Sequence, residues 1–343
     1  MHNQPGVDRD PWQKERTGCM KVFLTGASGY LGSNLVLALS RSPDVAKVIC
    51  LVRTREKLSF LRGVLPEGTI VQYVVGDLND PATYRVYLED ADVVVHAAAV
   101  RGIEFCESHP DEAEQVNVCG TRKLLEAALQ SGAKRILYCS SQAVYGAEDQ
   151  RPYREDCTPH PDTVYGRTKY RGELIVREAR QKGMQFLILR FSRLYGFGIF
   201  MREEELPHRF ARYAVSGVFL PVYHNGEDVV DLLHIRDAVA SIEFFLHPAR
   251  NHCWNDIYNV GSGNPLSVLS LASLYQELCK KLGLKVPALR TFPSSPGRKP
   301  KILGLDVTKL KEAGWTPAVS LEEGIRELLL VYQKAQEQRF PLR

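Results

Sequence analysis

A chain of 343 residues, 44% hydrophobic and 24% charged, has the size and composition of one large globular domain or two smaller ones. Its net charge of +4 is too small to point to a nucleic-acid partner, and no stretch reaches the roughly 18 uninterrupted apolar residues of a membrane span. The eight cysteines form no C-x-x-C pair and the nine histidines show no H-x-x-x-H or H-E-x-x-H spacing, which predicts reduced structural thiols, a cytoplasmic protein and no catalytic metal.

Residues 1–18 are polar, carry Pro5 and Pro11, and have no apolar run, so they read as an extension of the fold and not as a secretory signal. From residue 20 to about 195, strand and helix patterns alternate. Strands are expected at 21–24, 47–52, 69–75, 92–96, 135–140 and 185–191. Helices are expected between them at 31–40, 55–61, 81–88, 112–131 and 164–182. Such alternation predicts right-handed βαβ units: an α/β, Rossmann-type, doubly wound parallel sheet over residues 19–195. Residues 196–343 are richer in Gly and Pro, with helices expected at 205–217, 235–246, 267–282 and 321–336. They read as a smaller C-terminal substrate-binding lobe, interleaved with the first domain.

The first strand and helix frame the most informative stretch. Residues 21–35 read K-V-F-L-T-G-A-S-G-Y-L-G-S-N-L. Gly26 permits a tight turn out of the strand. Gly29 lets a pyrophosphate approach the backbone N–H groups, and Gly32 lets the helix pack closely on the strand. The turn predicts a dinucleotide site formed by Gly26, Ser28, Gly29, Tyr30, Leu31 and Gly32. At the end of the second strand, where an NAD-binding fold places a carboxylate for the ribose, this chain has Val52-Arg53. A guanidinium there would bind a 2′-phosphate, so Arg53 favours NADP(H), with NAD(H) possible; the alternative is a solvated loop charge. Asp77, in Gly76-Asp77-Leu78, either accepts from an adenine amino group or caps the helix expected near Pro81. The small run Ala97-Ala98-Ala99 would let the second ribose lie against the backbone. His96 before it reads as a packing residue.

Tyr165 and Lys169 stand four apart at the start of a helix, on one face. A phenol is a poor base, with a pKa of about 10. A neighbouring ammonium and a positive nicotinamide would stabilise the phenolate, and the lysine can also hold the nicotinamide ribose. The strand 135–140 ends in two serines. Ser141 points to the crevice and can share a proton with Tyr165, whereas Ser140 reads as a strand-end turn. Asn117, mid-helix, marks either a site residue or a buried hydrogen bond.

Taken in order, T-G-x-x-G-x-x-G (25–32), G-D-L (76–78), H-A-A-A (96–99), N-V-x-G-T (117–121), S-S-x-x-V-Y-G (140–146) and Y-G-R-T-K (165–169) resemble the extended short-chain dehydrogenase/reductases, and more narrowly their nucleotide-sugar epimerase/dehydratase family. The resemblance continues through R-F-S-R-L-Y-G (190–196), D-L-L-H-I-R-D-A (231–238), Y-N-V-G-S-G (258–263) and the segment 314–325, and so covers about residues 20–335. It implies hydride transfer at a sugar carbon, usually C4, with Tyr165 as base, Lys169 and Ser141 as its partners, and Asn117 in the catalytic set. It further implies a homodimer formed through helices 112–131 and 164–182. Three departures qualify the substrate. Gln142-Ala143 stand where family dehydratases carry Asp-Glu, which argues against a 4,6-dehydratase. Arg193 replaces a common Asn. Val230 and Ser295-Pro296-Gly297-Arg298 replace diphosphate-binding arginine positions, leaving Arg193, Arg298, Lys299 or Lys301 as substitutes. Ser141, Gln142, Arg193 and Arg298 are the expected substrate contacts. The leading reading is a nucleotide-sugar epimerase or 4-ketoreductase. The others are an NADPH-dependent reductase of a non-sugar carbonyl and a non-catalytic cofactor-binding regulator.

Overall fold

The computed structural model describes residues 20–65, 69–89, 91–147 and 152–338; the expected N-terminal extension and Cys19 lie outside them. Seven parallel strands form the central sheet. Six of these are β1 (Met20–Thr25), β2 (Val45–Val52), β3 (Val71–Val75), β4 (Val93–His96), β5 (Arg135–Ser141) and β6 (Gln185–Phe191), and the seventh is Asp256–Val260. Their order is β3-β2-β1-β4-β5-β6 followed by Asp256–Val260. The chain therefore starts in the middle and winds outward both ways. The carboxyl ends of β1 and β4 diverge at that switch point, where a crevice opens.

Strand side chains alternate between two helical layers, as the period of two requires. Val22 and Leu24 of β1, with Leu137 of β5, join the core under α1 (Tyr30–Leu39); Phe23, Ile136 and Tyr138 join the opposite core. The first core is closed by α1 together with Ala238, Ile242 and Phe245 of a later helix, Ile235–Leu246. The second is closed by α5 (Gly120–Gln130) and α6 (Val164–Arg177). A third core, around Tyr195, Phe210, Tyr275 and Leu328, holds the C-terminal lobe together. Helix Ile235–Leu246 and strand Asp256–Val260 thus belong to the layers of the sheet although they follow residue 196.

Two expected helices differ. Residues 81–88 form two short 3₁₀ turns, Pro81–Thr83 and Arg85–Tyr87, because the buried Tyr84 between them leaves helical geometry (φ −138°) to send its hydroxyl to the Leu78 carbonyl at 3.1 Å. Helix α2 is Glu56–Val64, and residues 103–130 comprise α3 (Ile103–Ser108), α4 (Pro110–Glu114), a π-helical turn over Gln115–Cys119, and then α5. Among the described residues no helix is long and apolar enough to cross a membrane.

Candidate active site

A cleft of about 760 Å³ follows the carboxyl ends of β1, β4, β5 and β6, and the C-terminal lobe closes it with Phe200, Arg202, Glu205 and Leu303. The glycine turn forms one wall. Gly26 has φ +76°, and a Cβ on it would lie 2.6 Å from the Ala97 carbonyl carbon. A Cβ on Gly32 would lie 2.1 Å from the Gly26 oxygen, so this helix can sit this close only without a side chain. The N-cap of α1 is Gly29, which supplies no side-chain cap, and its first turn holds no acidic residue. Its orphan N–H groups are therefore available to an anion. These features fit the diphosphate of a dinucleotide. Tyr30 lines the cleft, but its hydroxyl donates to the Gly196 carbonyl at 2.7 Å and ties α1 to the second lobe.

Arg53 is exposed at one end of the cleft. Asp77 and Leu78 lie beside it. The cap of the turn at Pro81 is Asp80, which accepts from the Ala82 N–H; Asp77 accepts from the Asn79 N–H at 2.7 Å and stays on the cleft wall. Ala97, Ala98 and Ala99 line the cleft after β4. His96 is fully buried between Thr25 Oγ1 (2.7 Å) and Thr121 Oγ1 (2.9 Å). Burial, with Lys169 nearby, lowers its pKa to about 3, so it stays neutral.

At the other end, α6 begins at Thr163, whose hydroxyl caps it by accepting from the Gly166 N–H at 3.1 Å. Its first turns carry Tyr165 and Lys169 into the cleft. Ser141, at the end of β5, lies beside the Tyr165 phenol and accepts from the Ala143 N–H at 3.2 Å. Burial raises the Tyr165 pKa; Arg202, Ser141 and Arg101 oppose it. Lys169 is 2% exposed, with Nζ 4.0 Å from the Tyr138 ring centroid, and burial lowers its pKa to about 8. Gln142 lines the same end, and its buried Oε1 has no hydrogen-bond partner.

Two expected site residues lie elsewhere. Asn117 does not reach the cleft. Its amide donates to the Val100 carbonyl (2.9 Å) and Thr168 Oγ1 (3.0 Å), and its oxygen accepts from the Val100 N–H (2.8 Å). It is the buried hydrogen-bonding residue of the two alternatives, clamping the loop after β4 to α6. Arg298 is held by Asp228 through two bonds of 2.9 and 2.7 Å and does not line the cleft. Lys301, three residues on, does, as does Arg193.

The sequence reading also passed over a buried layer beneath Lys169. Ser140 donates to Glu173 Oε1 at 2.5 Å, and Arg190 donates to both Glu173 oxygens at 3.0 and 2.7 Å. Arg190 Nη1 donates to the Tyr145 oxygen at 2.8 Å, and Tyr145 donates to Asn259 Oδ1 at 2.8 Å. Glu173 and Arg190 are 1% and 2% exposed. The signal for Glu173 was its spacing: residues 165, 169 and 173 recur every four positions on one helix face. Ser140, expected as a plain strand-end turn, is part of this layer.

The sequence model of the NAD dependent epimerase/dehydratase family matches residues 22–261. The chain is 29% identical over 315 residues to the low-salt glycan biosynthesis protein Agl12 of Haloferax volcanii, covering 91% of this chain and 98% of that one. Among solved structures it is similar to a UDP-glucose 4-epimerase of Thermotoga maritima with UDP-glucose (TM-score 0.77, 25% identity, 92% of this chain and 100% of that one). It is equally similar to DesIV, a dTDP-glucose 4,6-dehydratase of Streptomyces venezuelae with NAD bound (TM-score 0.77, 25% identity, 93% and 98%).

Proposed function

The chain belongs to the NAD dependent epimerase/dehydratase family, of the extended short-chain dehydrogenase/reductase type, and from that premise we propose that it moves a hydride to and from C4 of a nucleotide-sugar, as an epimerase or a 4-ketoreductase. The observation that carries this reading is the set Ser141, Tyr165 and Lys169 at one end of a cleft whose wall is the glycine turn. A nicotinamide dinucleotide, when bound, accepts or returns the hydride. Gly26, Gly29, Gly32 and the open first turn of α1 hold its diphosphate. Tyr165 takes the proton of the C4 hydroxyl, and Ser141 holds that oxygen and the phenol together. Lys169 holds ribose hydroxyls and favours the phenolate by its charge. Gln142 offers an unpartnered acceptor to the sugar.

An amide and a methyl at Gln142-Ala143 carry no titratable proton for C5 or C6, so we do not extend the 4,6-elimination of the similar dehydratases to this chain. Arg53 supports a preference for NADP(H), with NAD(H), as in DesIV, the second choice. We also propose a cytoplasmic homodimer formed across α5 and α6, where Leu174 is 43% exposed. A monomer mass in sedimentation at micromolar concentration would overturn that. A second reading, an NADPH-dependent reductase of a non-sugar carbonyl, draws on the engagement of Arg298 with Asp228 and on the buried Val230, which leave fewer cations for a sugar diphosphate.

The test is interconversion or reduction of UDP- and dTDP-linked sugars and 4-keto sugars by wild type and Tyr165→Phe, with NADPH and NADH titrated calorimetrically into wild type and Arg53→Ala. Turnover that Tyr165→Phe abolishes supports the reading. Turnover of simple ketones alone overturns it in favour of the second. NADH binding as tightly as NADPH, unchanged by Arg53→Ala, overturns the NADP(H) preference.

A further inference from the structure

Lys169 is a buried cation without a carboxylate of its own. Glu173, one helical turn on, is taken by Ser140 and by both ends of the Arg190 fork, and among the described residues no acidic group pairs with the Lys169 Nζ. The other titratable neighbours are Tyr165, one turn back on α6, Cys139 on β5, whose thiol burial pushes up to about 12, and the neutral His96 on β4. What faces the ammonium is the ring of Tyr138, its centroid 4.0 Å from Nζ. The fold fixes that ring closely. It is buried, its hydroxyl donates to the Lys169 carbonyl at 3.4 Å, and the His96 ring packs against it with 5.4 Å between centroids. A Cβ on Gly172 would lie 2.2 Å from the Tyr138 hydroxyl oxygen, so α6 can lie this close to the phenol only because residue 172 has no side chain.

An ammonium taken out of water needs compensation. A carboxylate would supply it, but would also take up the lysine's N–H donors. An aromatic face attracts the charge through its quadrupole and leaves those donors free, and the attraction is strongest where water is excluded. We propose that Tyr138 is a positioning residue of the hydride-transfer site: its ring face is the counterpart of the Lys169 ammonium, and it leaves the lysine both charged and free to donate to the ribose hydroxyls of a bound nicotinamide dinucleotide. This rests on the dinucleotide reading above. Tyr138 does not line the cleft, so it acts through Lys169 alone. An aliphatic side chain in its place would fill the same core without attracting the charge.

The experiment is calorimetric titration of NADPH and NADH into the full chain across the neutral and alkaline range. It compares wild type, Lys169→Met, Tyr138→Phe, Tyr138→Leu and Phe23→Leu, each shown to be folded by circular dichroism. Wild type is expected to lose affinity on the alkaline side as Lys169 gives up its proton, and Lys169→Met to lack that limb. Tyr138→Phe keeps the ring face and leaves the midpoint of the limb in place. Tyr138→Leu moves it down by about one pH unit, which weakens binding about fivefold at pH 8. Phe23→Leu removes a ring from the same core, one that packs against Tyr84, and leaves the midpoint where it was. Should Tyr138→Leu fail to fold, a ring-fluorinated phenylalanine at position 138 decides, since it keeps the shape and drains negative charge from the face: its midpoint must fall below that of Tyr138→Phe. An unmoved midpoint, an equal shift in Phe23→Leu, or an alkaline limb that is absent from wild type or survives Lys169→Met overturns the assignment and leaves the dinucleotide reading standing. If wild type binds neither dinucleotide, that reading falls, and this inference with it.

Discussion

The floor and the roof of the cleft are built on opposite principles. Beneath Lys169, Glu173 receives Ser140 and both ends of the Arg190 fork, at distances of 2.5 to 3.0 Å and almost without solvent. Above Tyr165, Arg101, Arg193 and Arg202 reach their carboxylates only at 3.5 to 3.8 Å, and several of these groups are open to water. A buried charge must be fully partnered by the protein itself, because nothing else can partner it. A charge at the mouth of a cleft can be left for a ligand. The floor therefore fixes α6, and with it Tyr165 and Lys169, while the roof leaves its arginines loosely paired.

The comparison can be broken first at the floor. Glu173→Gln leaves the Arg190 guanidinium buried without its counter-charge, and should lower unfolding free energy by about 3–5 kcal/mol in urea titration. A loss below 1 kcal/mol would mean that the layer does not hold the helix.

Lys169 lies between the two regions and sharpens the contrast by giving opposite effects on rate and stability. Lys169→Met should reduce kcat by about 10²–10⁴-fold. It should also raise the stability of the cofactor-free protein, by about 1–2 kcal/mol at pH 7, because burial disfavours the ammonium. The sign follows from the lowered pKa. Between about pH 8 and the ordinary 10.5, the unfolded chain keeps a proton that the folded lysine has lost, so wild-type stability rises with pH across that window. Below pH 8 the penalty is complete, and the methionine variant should be ahead by its full margin. Urea midpoints at pH 7 and pH 10 measure both.

At the roof the effects should be smaller and kinetic. Arg202 lowers the pKa of Tyr165, so Arg202→Met should move the basic-side rise of kcat/KM to higher pH, by up to about one unit, and change stability by less than about 1 kcal/mol. Glu204→Gln, at the exposed Arg101 pair, should alter stability by less than about 0.5 kcal/mol. A large stability loss from either would place the roof in the same class as the floor.

What the sequence made legible follows the same division. The alternation that built the sheet, the glycine turn and the Tyr165–Lys169 spacing are local patterns, and local patterns survive in one dimension. Glu173 and Arg190 lie on different elements, 17 residues apart, and their pairing is set by how α6 packs on β6. Arg202 sits in the run M-R-E-E-E-L, which reads as a solvated lead-in to the helix Leu206–Val215. Only the folding of the second lobe over the sheet turns it inward. Arg298 shows the converse: its motif position suggested a substrate contact, but Asp228, 70 residues away, was the nearer partner. Asn117 was visible as an oddity, yet only the loop after β4 shows what its amide holds.

The π-helical turn at Gln115–Cys119 adds one residue to a helix that would close its hydrogen bonds without it. Each residue turns a helix by about 100°, so deleting one here would restore a regular turn and swing Asn117 away from Val100. The length of this segment is thus dictated from outside the helix, by the loop that borders the reactive end of the cleft. In an alignment of divergent chains, a one-residue gap at this point would mark a change in how that loop is held, even where every motif residue remained the same.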